Sequence, residues 1–384
     1  MSTPSLPIPL NQLPAPAFIL HQERLIRNLE KITAFSGAAG IDVIFALKAC
    51  GMHAAFPIIR KYLKGTTASG LYEARLGAEN FGGEIHVFSP AYSDDDIGDI
   101  LDFATHVSFN SLSQWERFAD KVSARDVIPY LRVNPEYSDV ETDMYNPCIP
   151  GSRLGIRHSQ LPKKLPKGIQ GLHFHNLCES KAEALVATLA SFDKHYGHLL
   201  NQVTHINMGG GHLITHQDYH MDKALEAIRA FKKKYPHLHL NIEPGAAVVW
   251  DSGYLSANVL DIIDSRGIKV LMLDISIAAH MPDCLEMPYK AHILGSLPPE
   301  GAPFVYRLGG STCLAGDFMG DYGFEQPIKV GDKILFNDMI HYTMVKTSMF
   351  NGVKHPEIGI WSDAKERYRR VRTFDYKDYY ERLS

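Results

Sequence analysis

The stretch DVIFALKACG, residues 42–51, gives the first indication of the fold. Its apolar run has the length of a buried strand, yet it ends on Lys48, a charged residue that is costly to bury. Further apolar runs follow, and they too end on polar or glycine residues. The runs end at Lys48, Ser69, Ser89, Asn110, Asn134, Asn176, Gly210 and Gly245. Eight strands separated by helical or loop segments predict an α/β fold with a closed (β/α)8 barrel, the TIM barrel.

Amphipathic segments between the runs support this interpretation. They place apolar residues three or four positions apart, as expected for helices that pack on the outside of a barrel. The segments are 53–64, 71–81, 95–104, 112–122, 181–200 and 221–235. A doubly wound open sheet would give the same alternation, but eight near-regular units favour closure. Residues 135–168 lack helical periodicity, and we predict a long loop there on the active side of the barrel.

After Trp250 the pattern changes to alternating strands without predicted helices. The strand candidates are 253–264, 267–277, 303–313 and 332–346. We therefore expect two domains, a barrel over residues 17–250 and a β-sandwich or barrel-like domain over residues 251–384. The proline-rich residues 1–16 are expected to join the second domain through AFILH, residues 17–21.

Bulk composition excludes several classes of function. The 39 basic and 43 acidic residues are well mixed and give a net charge of −4, with no basic stripe for nucleic acid or an anionic membrane surface. The N-terminus lacks the pattern of a signal peptide, and no segment has the ~20 apolar residues of a membrane span. The five cysteines include no Cys-x-x-Cys pair, so neither a disulfide framework nor a zinc site is predicted. We expect a cytoplasmic protein with no nucleic-acid or membrane partner.

Polar residues at the strand ends are candidates for a catalytic site, because TIM barrels place their active sites there. Lys48 in a pocket would have a lowered pKa and an amine available to an aldehyde, although a lysine that extends to solvent is the more ordinary case. Gly209–Gly211 follow the seventh strand, where barrels often bind phosphate, but a triplet of glycines can also form a simple turn. Glu243 adds a carboxylate, which alone could be a structural ion-pair partner. An aldehyde, a phosphate and a ring nitrogen are the three groups of pyridoxal 5'-phosphate (PLP) that such residues would bind.

The histidines invite a second interpretation as metal ligands. The sequence has 19 of them, including HFH at 173–175 and GGGH at 209–212. No set of histidine and carboxylate residues has ligand spacing on one element, so no metal site is predicted.

Several motifs together resemble the fold-type III PLP decarboxylases, the group of ornithine and diaminopimelate decarboxylases. They occur in the order FALKAC, LHFHNLCES, NMGGGH, EPG, GGSTCLAGD and DMIHYTMVKTSMFNG and cover nearly the whole chain. More narrowly, LHFHNLCES, YNPCIPGSRLGI and AAHMPDCLEMPYKAHILG resemble the carboxynorspermidine/carboxyspermidine decarboxylases. The resemblance implies PLP-dependent decarboxylation of carboxynorspermidine and/or carboxyspermidine to norspermidine or spermidine plus CO2, a step of polyamine biosynthesis.

The resemblance also implies roles for individual positions. Lys48 matches the lysine that binds the cofactor aldehyde, and His175 matches the histidine that stacks on the cofactor ring. The glycine triplet matches the phosphate loop, with Tyr342 as a further phosphate ligand. Glu243 matches the carboxylate that keeps the pyridine nitrogen protonated, so that the ring can accept electrons as CO2 leaves.

Three more positions match the family pattern. Glu73 and Arg132 match further positions in the cofactor pocket. Cys313 matches a cysteine that reaches the site across a dimer interface and reprotonates the carbanion, whereas a cysteine is otherwise by default a small buried apolar residue. The resemblance therefore implies a homodimer with shared active sites and an inactive monomer.

The distal amines of a carboxylated polyamine need acidic partners, because the molecule is cationic apart from its carboxylate. Candidates lie in the family-like loops of the β-domain, where each could equally be a solvated surface group. They are Asp274, Asp283, Glu286 and Asp317. The carboxylate that leaves gains rate from an apolar setting, so no arginine is expected to grip it.

Ala246 departs from the family pattern. It follows EPG where ornithine-type relatives carry an arginine for the phosphate, so we expect phosphate binding to depend on the glycine loop and Tyr342.

Other interpretations stay open: another amino-acid decarboxylase, of diaminopimelate or ornithine type, an amino-acid racemase, or a non-catalytic PLP carrier. Diaminopimelate decarboxylation needs a basic group for the distal carboxylate, where the β-domain loop is acidic, and a racemase needs a second acid–base residue where Cys313 stands in place of a tyrosine. A carrier would consist of the barrel alone.

Overall fold

The structure, a computed structural model, describes residues 8–384, which form two compact units. Ile26–Val248 form one unit, and residues up to Leu25 join Val249–Ser384 in the other. The strand β1 (Ala17–His21) pairs with strands of the second unit, so the expected barrel start at residue 17 differs from this division. Residues 1–7 lie outside the described residues, and their expected place in the second domain stays a prediction.

The unit Ile26–Val248 is a closed barrel of eight parallel strands. Each strand pairs with the next along the chain, and the first pairs with the last to close the ring. The strands are β2 (Asp42–Ala46), β3 (Gly65–Ala68), β4 (Glu84–Phe88), β5 (His106–Phe109), β6 (Ile128–Arg132), β7 (Gly171–His173), β8 (His205–Asn207) and β9 (His239–Ile242). Every apolar run singled out in the sequence includes a barrel strand, so the predicted (β/α)8 fold is confirmed.

Helices connect most of these strands, as the amphipathic patterns predicted. The connecting helices are α2 (Phe56–Ile59), α3 (Leu71–Asn80), α4 (Asp94–Phe103), α5 (Leu112–Ser123), α6 (Ala182–Tyr196) and α7 (Met221–Lys234). Two more helices flank the barrel strands in sequence, α1 (Gln22–Ala39) before β2 and α8 (Ala246–Val249) after β9. The prediction was wrong for 53–64, where a 3-10 turn and the single turn of α2 bury Phe56 and Ile59 without continuing. Residues 135–168 form the predicted loop, with only two 3-10 turns, Asp143–Tyr145 and His158–Gln160.

Local sequence explains where the helices start after the barrel strands. The Ser93 hydroxyl accepts a hydrogen bond from the Asp96 amide at the start of α4, and Ser111 accepts one from Gln114 at the start of α5. Such caps satisfy backbone donors that would otherwise lack partners and contribute about 1 kcal/mol each.

The second unit contains a mixed sheet of eight strands. Besides β1, its strands are β10 (Gly253–Ser265), β11 (Ile268–Leu273), β12 (Phe304–Gly309), β13 (Phe318–Phe324), β14 (Lys333–Asn337), β15 (Glu357–Ser362) and β16 (Arg367–Arg372). β1 lies between β10 and β15, antiparallel to β10 and parallel to β15, and β14 also pairs with β10. The strand expected over 332–346 ends at Asn337, because Asp338 and Tyr342 have positive φ angles that a strand cannot accommodate.

The expectation of no helices after Trp250 was wrong. Short helices occur in the loops of this unit: α9 (Ile277–His280), α10 (Pro282–Glu286) and α11 (Tyr376–Tyr380). They are one turn long, too short to produce a periodic apolar pattern in the sequence. Within residues 8–384, no helix is both long and apolar enough to cross a membrane.

Candidate active site

Lys48 follows β2 and faces His175, which follows β7, at the carboxyl end of the barrel. Its Nζ lies 3.3 Å from His175 Nε2. The Lys48 side chain is accessible, but protein surrounds it, and this desolvation together with the charge of Arg132 lowers its pKa, while Glu243 acts in the opposite direction. A lowered pKa increases the fraction of neutral, nucleophilic amine at neutral pH.

A backbone amide sets the tautomer of His175. Gly210 N donates a hydrogen bond to His175 Nδ1 over 2.9 Å, so the proton of the neutral ring lies on Nε2 and points towards Lys48. Burial lowers the pKa of His175 well below its usual value, and the charges of Lys48 and Arg132 add to this effect. The Nε2–H of a neutral His175 therefore faces the lysine amine and can donate to its unprotonated form.

Glu243 is a buried carboxylate, 5% exposed, just after β9. Asn207 Nδ2 donates to Oε1 of Glu243 over 2.6 Å. Two histidines face the same group: His173 Nε2 lies 3.7 Å from Oε2, and His86 Nδ1 lies 3.9 Å from Oε1. Burying an isolated carboxylate is strongly unfavourable, and these polar neighbours are what allow Glu243 to remain inside the barrel.

Arg132 and Glu73 also lie at this end of the barrel. Arg132 Nη2 donates to the His175 carbonyl over 3.0 Å, and the guanidinium lies over the Phe88 ring, 4.2 Å from its centroid. Burial lowers the pKa of Arg132 to about 10. Glu73 accepts a hydrogen bond from the Ser69 amide over 2.6 Å, and burial raises its pKa. The barrel thus brings together every site residue that the sequence placed on it.

The glycine triplet after β8 packs closely against neighbouring backbone. Gly209 and Gly211 have φ angles of +67° and +87°, and a Cβ on any of the three glycines would overlap a carbonyl oxygen. The Gly209 amide donates to Asn207 Oδ1 over 2.8 Å, and the Gly210 amide donates to His175. The Gly209 and Gly210 amides, which were expected to bind an anion, therefore already donate hydrogen bonds within the barrel. A phosphate would depend on the Gly211 amide and on its close approach to the backbone of the glycines.

Cys313, in the second unit, is exposed and held in place by Asn351. Its amide and its Sγ lie 3.0 and 3.2 Å from Asn351 Oδ1. Asn351 has a φ angle of 56°, a left-handed conformation that asparagine tolerates better than most residues. The thiol is thus an accessible group with a defined orientation, unlike the usual buried cysteine.

Two of the carboxylates predicted to bind substrate are engaged within the second unit. Asp274 accepts hydrogen bonds from the amide and the side chain of Asn258, both 2.7 Å long. Asp317 accepts from the Ala278 amide over 2.9 Å and from the Thr312 amide over 3.0 Å, as well as from the Thr312 hydroxyl. These bonds tie strands and loops together, which favours a structural role for both residues.

The other two carboxylates differ in their surroundings. Glu286 is partly exposed and pairs with Lys346. Asp283 is 7% exposed, and its Oδ2 accepts from Tyr289 over 2.6 Å and from Thr343 over 2.7 Å. Its Oδ1 is buried with no hydrogen-bond partner among the described residues. Asp283 therefore holds Thr343, in the segment that follows β14, through its Oδ2 only.

Tyr342 lies in that segment and has a φ angle of 50°. A left-handed conformation costs a tyrosine about 1–3 kcal/mol, so the surrounding bonds must compensate. The amides of Val345 and Lys346 donate to the Tyr342 carbonyl over 3.1 and 3.0 Å, and Asp283 holds the hydroxyl of the adjacent Thr343. The backbone at Tyr342 is held by bonds to and from the residues that follow it.

Histidine and carboxylate atoms from different strands also approach one another in the barrel. The prediction of no metal site considered ligand spacing along one element, and that criterion overlooks sets built from several strands. The sets whose ligand atoms lie within 4.8 Å of one another include His173, His175 and Glu243 at the site, and Glu84, His86 and His106.

Sequence reasoning missed His86, His173, Asn207 and Asn351. The HFH motif could have identified His173, because residues two apart in a strand face the same side, and His173 therefore shares a face with His175. Asn207 lies two residues before the glycine triplet, where its side chain can bond the Gly209 amide. His86 lies within a strand and has no distinguishing sequence context.

The chain combines a (β/α)8 barrel, with a lysine, a histidine and a buried carboxylate at its carboxyl end, and a sheet unit that follows the barrel. Comparison with known families identifies the class of protein. Residues 85–340 match the family model described as "Pyridoxal-dependent decarboxylase, C-terminal sheet domain". The chain belongs to this family of pyridoxal-dependent decarboxylases.

Two relatives and one solved structure are similar over nearly the whole chain. Carboxyaminopropylagmatine decarboxylase of Synechocystis sp. is 49% identical over 374 residues, 97% of this chain and 96% of that protein. Carboxynorspermidine/carboxyspermidine decarboxylase of Campylobacter jejuni is 41% identical, with 96% of this chain and 98% of that protein covered. The crystal structure of carboxynorspermidine decarboxylase from C. jejuni, complexed with norspermidine, superposes with a TM-score of 0.88 at 38% identity, covering 96% of this chain and 100% of that one.

These findings confirm the resemblance inferred from the motifs. They place the chain among decarboxylases rather than racemases. A PLP carrier built from the barrel alone would lack the sheet unit that this chain has. The solved structure was determined with a polyamine bound, which agrees with the branch suggested by LHFHNLCES and its companion motifs.

Proposed function

We propose that this protein binds PLP and decarboxylates a polyamine that carries a carboxylated aminopropyl group. Carboxynorspermidine and carboxyspermidine are the proposed substrates. Carboxyaminopropylagmatine is a second candidate, because the decarboxylase named for it is 49% identical to this chain. The observation that supports the proposal most directly is the Lys48 amine, oriented by a neutral His175 beside the buried Glu243.

The residues fit the cofactor group by group. The Lys48 amine, whose pKa is lowered, suits an aldehyde, the Gly211 amide remains for a phosphate, and the Glu243 carboxylate suits a protonated ring nitrogen. PLP, when bound, supplies the electron sink for the pair of electrons released with CO2. Asn207 holds Glu243 in place, and His175 holds and orients the lysine amine between turnovers.

The sheet unit supplies the remaining parts of the proposal. An accessible Cys313, fixed by Asn351, is proposed to deliver the proton that replaces CO2. It would serve the barrel across the interface of a cytoplasmic homodimer. Tyr342 is proposed as a phosphate ligand, supported by its constrained backbone. Among the four acidic residues, Glu286 is the best candidate for a substrate amine, because Asp274 and Asp317 are engaged in the fold, and Asp283 has only its Oδ1 without a partner among the described residues.

Release of CO2 by the purified, PLP-loaded protein tests the proposal. The panel should contain carboxynorspermidine, carboxyspermidine, carboxyaminopropylagmatine, ornithine, lysine and diaminopimelate. Turnover confined to the first three is expected. The relative turnover of these three compounds shows whether the substrate pocket prefers a terminal amine or the guanidinium of agmatine. Preference for ornithine or diaminopimelate would overturn the substrate proposal, and inactivity on every compound would overturn the enzymatic one.

A further inference from the structure

Asn351 contacts Cys313 across 38 positions of the sequence, and one oxygen makes both contacts. Oδ1 of Asn351 lies 3.0 Å from the Cys313 amide nitrogen and 3.2 Å from the Cys313 sulfur. A backbone amide can only donate, so its partner in the asparagine side chain must be the carbonyl oxygen. That oxygen carries no proton, so the sulfur must be the donor in the second contact. The contact therefore fixes both the sulfur and the direction of its proton.

The two loops that carry these residues are attached to the same short helix, α9. A backbone amide of α9 donates to the Asp317 carboxylate, which also accepts from the amide of Thr312, next to Cys313, over 3.0 Å. The amide of Ser348, in the segment that leads to Asn351, donates to a carbonyl of α9 over 2.8 Å. Both backbones are thus anchored without the Asn351 side chain, which leaves that side chain to orient the thiol.

The backbone of Asn351 restricts which residues can replace it. Its φ angle is 56°, and the next residue, Gly352, has a φ angle of 72°. Asparagine and aspartate tolerate this left-handed conformation and offer an acceptor oxygen, whereas glycine adopts it freely and offers none. A glycine at position 351 would therefore keep the turn and remove only the hydrogen bonds to Cys313.

We propose that Asn351 is a positioning residue that determines which carbon atom receives the proton of Cys313. The inference rests on the proposed function, in which Cys313 supplies the proton that replaces CO2. With the sulfur held by Asn351, rotation about the Cβ–Sγ bond is enough to turn the proton towards the substrate. Without that hydrogen bond the side chain samples other staggered χ1 rotamers, which displace the sulfur itself.

Two carbon atoms can receive a proton after CO2 has left. Protonation of the carbon that lost CO2 gives the amine product and returns PLP. Protonation of the aldehyde carbon of the cofactor instead leaves the substrate nitrogen and the electron pair on the cofactor, as pyridoxamine 5'-phosphate, and water releases the organic product as an aldehyde. The ratio of amine to aldehyde therefore reports the position of the proton donor, which a change in stability alone would not alter.

Two measurements on Asn351→Gly, with PLP bound, test this role. Without substrate, the infrared S–H stretching band of Cys313, identified by its loss in Cys313→Ala, should move to higher frequency because the hydrogen bond is gone. During turnover, the share of aldehyde product should rise about fivefold, the factor expected from the loss of one hydrogen bond. KM should stay unchanged, because Asn351 acts through Cys313.

Two further variants separate the side chain from the backbone. Asn351→Asp keeps an acceptor oxygen and should restore the wild-type ratio of products. Glu366→Gly is the matched control, because Glu366 is also exposed and left-handed, with a φ angle of 47°. Its S–H band and its product ratio should equal those of the wild type.

The outcomes separate the two proposals. An S–H band or a product ratio in Asn351→Gly that equals the wild type would overturn the positioning role, while CO2 release by the wild type would still support the proposed function. Asn351 is exposed and glycine accepts its backbone, so the variant is expected to fold. A wild type that binds no PLP or releases no CO2 would overturn the proposed function and the positioning role together.

Discussion

Replacing Asp283 distinguishes a carboxylate that supports the fold from one that binds a substrate amine. In Asp283→Ala, the buried hydroxyl of Thr343 and the partly exposed hydroxyl of Tyr289 both lose their acceptor. A buried donor without a partner costs about 1–3 kcal/mol, and the Tyr289 hydroxyl can reach water, so the free energy of unfolding should fall by about 1–3 kcal/mol. Asp283→Asn keeps an acceptor oxygen and loses the contribution of the charge, so the expected loss is about 1–2 kcal/mol.

Urea unfolding of the cofactor-free protein, followed by tryptophan fluorescence, measures these differences. The second unit contains Trp250 and Trp361, which report on its unfolding. Thr343→Val is the matched partner variant, and a double-mutant cycle with Asp283→Ala isolates the energy of the shared hydrogen bond. A structural role for Asp283 would be refuted if both Asp283 variants unfold at the same urea concentration as the wild type while their KM for the polyamine rises tenfold or more.

Three further substitutions test the site. Lys48→Ala should abolish both turnover and the absorbance of covalently held PLP, and cofactor that borohydride can still attach to the protein would contradict the assignment. Cys313→Ala should slow turnover or misplace the incoming proton while PLP binding stays intact; loss of PLP would instead indicate a structural cysteine. Gly211→Ala should weaken PLP binding at least about tenfold, because the new Cβ would overlap Leu177 O at a φ angle of +87°. Gly98→Ala, with open space around it, is the control that should bind PLP normally.

The barrel could be predicted from the sequence because each strand is a short apolar run that ends in a recognisable polar residue. Lys48, His175 and Glu243 follow directly from that rule, since strand ends meet at one edge of a closed barrel. His86 does not follow from it. His86 approaches Glu243 inside the barrel. The sequence shows neither which residues of a strand face inward nor which of them meet across the barrel.

The sheet unit was harder to predict for a different reason. Asp274 and Asp317 were interpreted as substrate ligands from their place in family-like loops, but their hydrogen bonds go to Asn258 and to the backbone around Ala278. Residue type and loop position cannot distinguish a carboxylate that binds a ligand from one that satisfies nearby amides. The left-handed backbone at Tyr342 is equally invisible, because tyrosine has no preference for it.

The order of pairing around β1 has a consequence for synthesis on the ribosome. β1 is completely buried between β10 and β15, yet it is made first, and β10 begins ~230 residues later. At about 5–20 residues per second, the ribosome needs roughly 10–50 s to reach β10, while the intervening barrel can already fold. During that time AFILH is an apolar strand with two unpaired edges, so this segment of the nascent chain needs protection from aggregation.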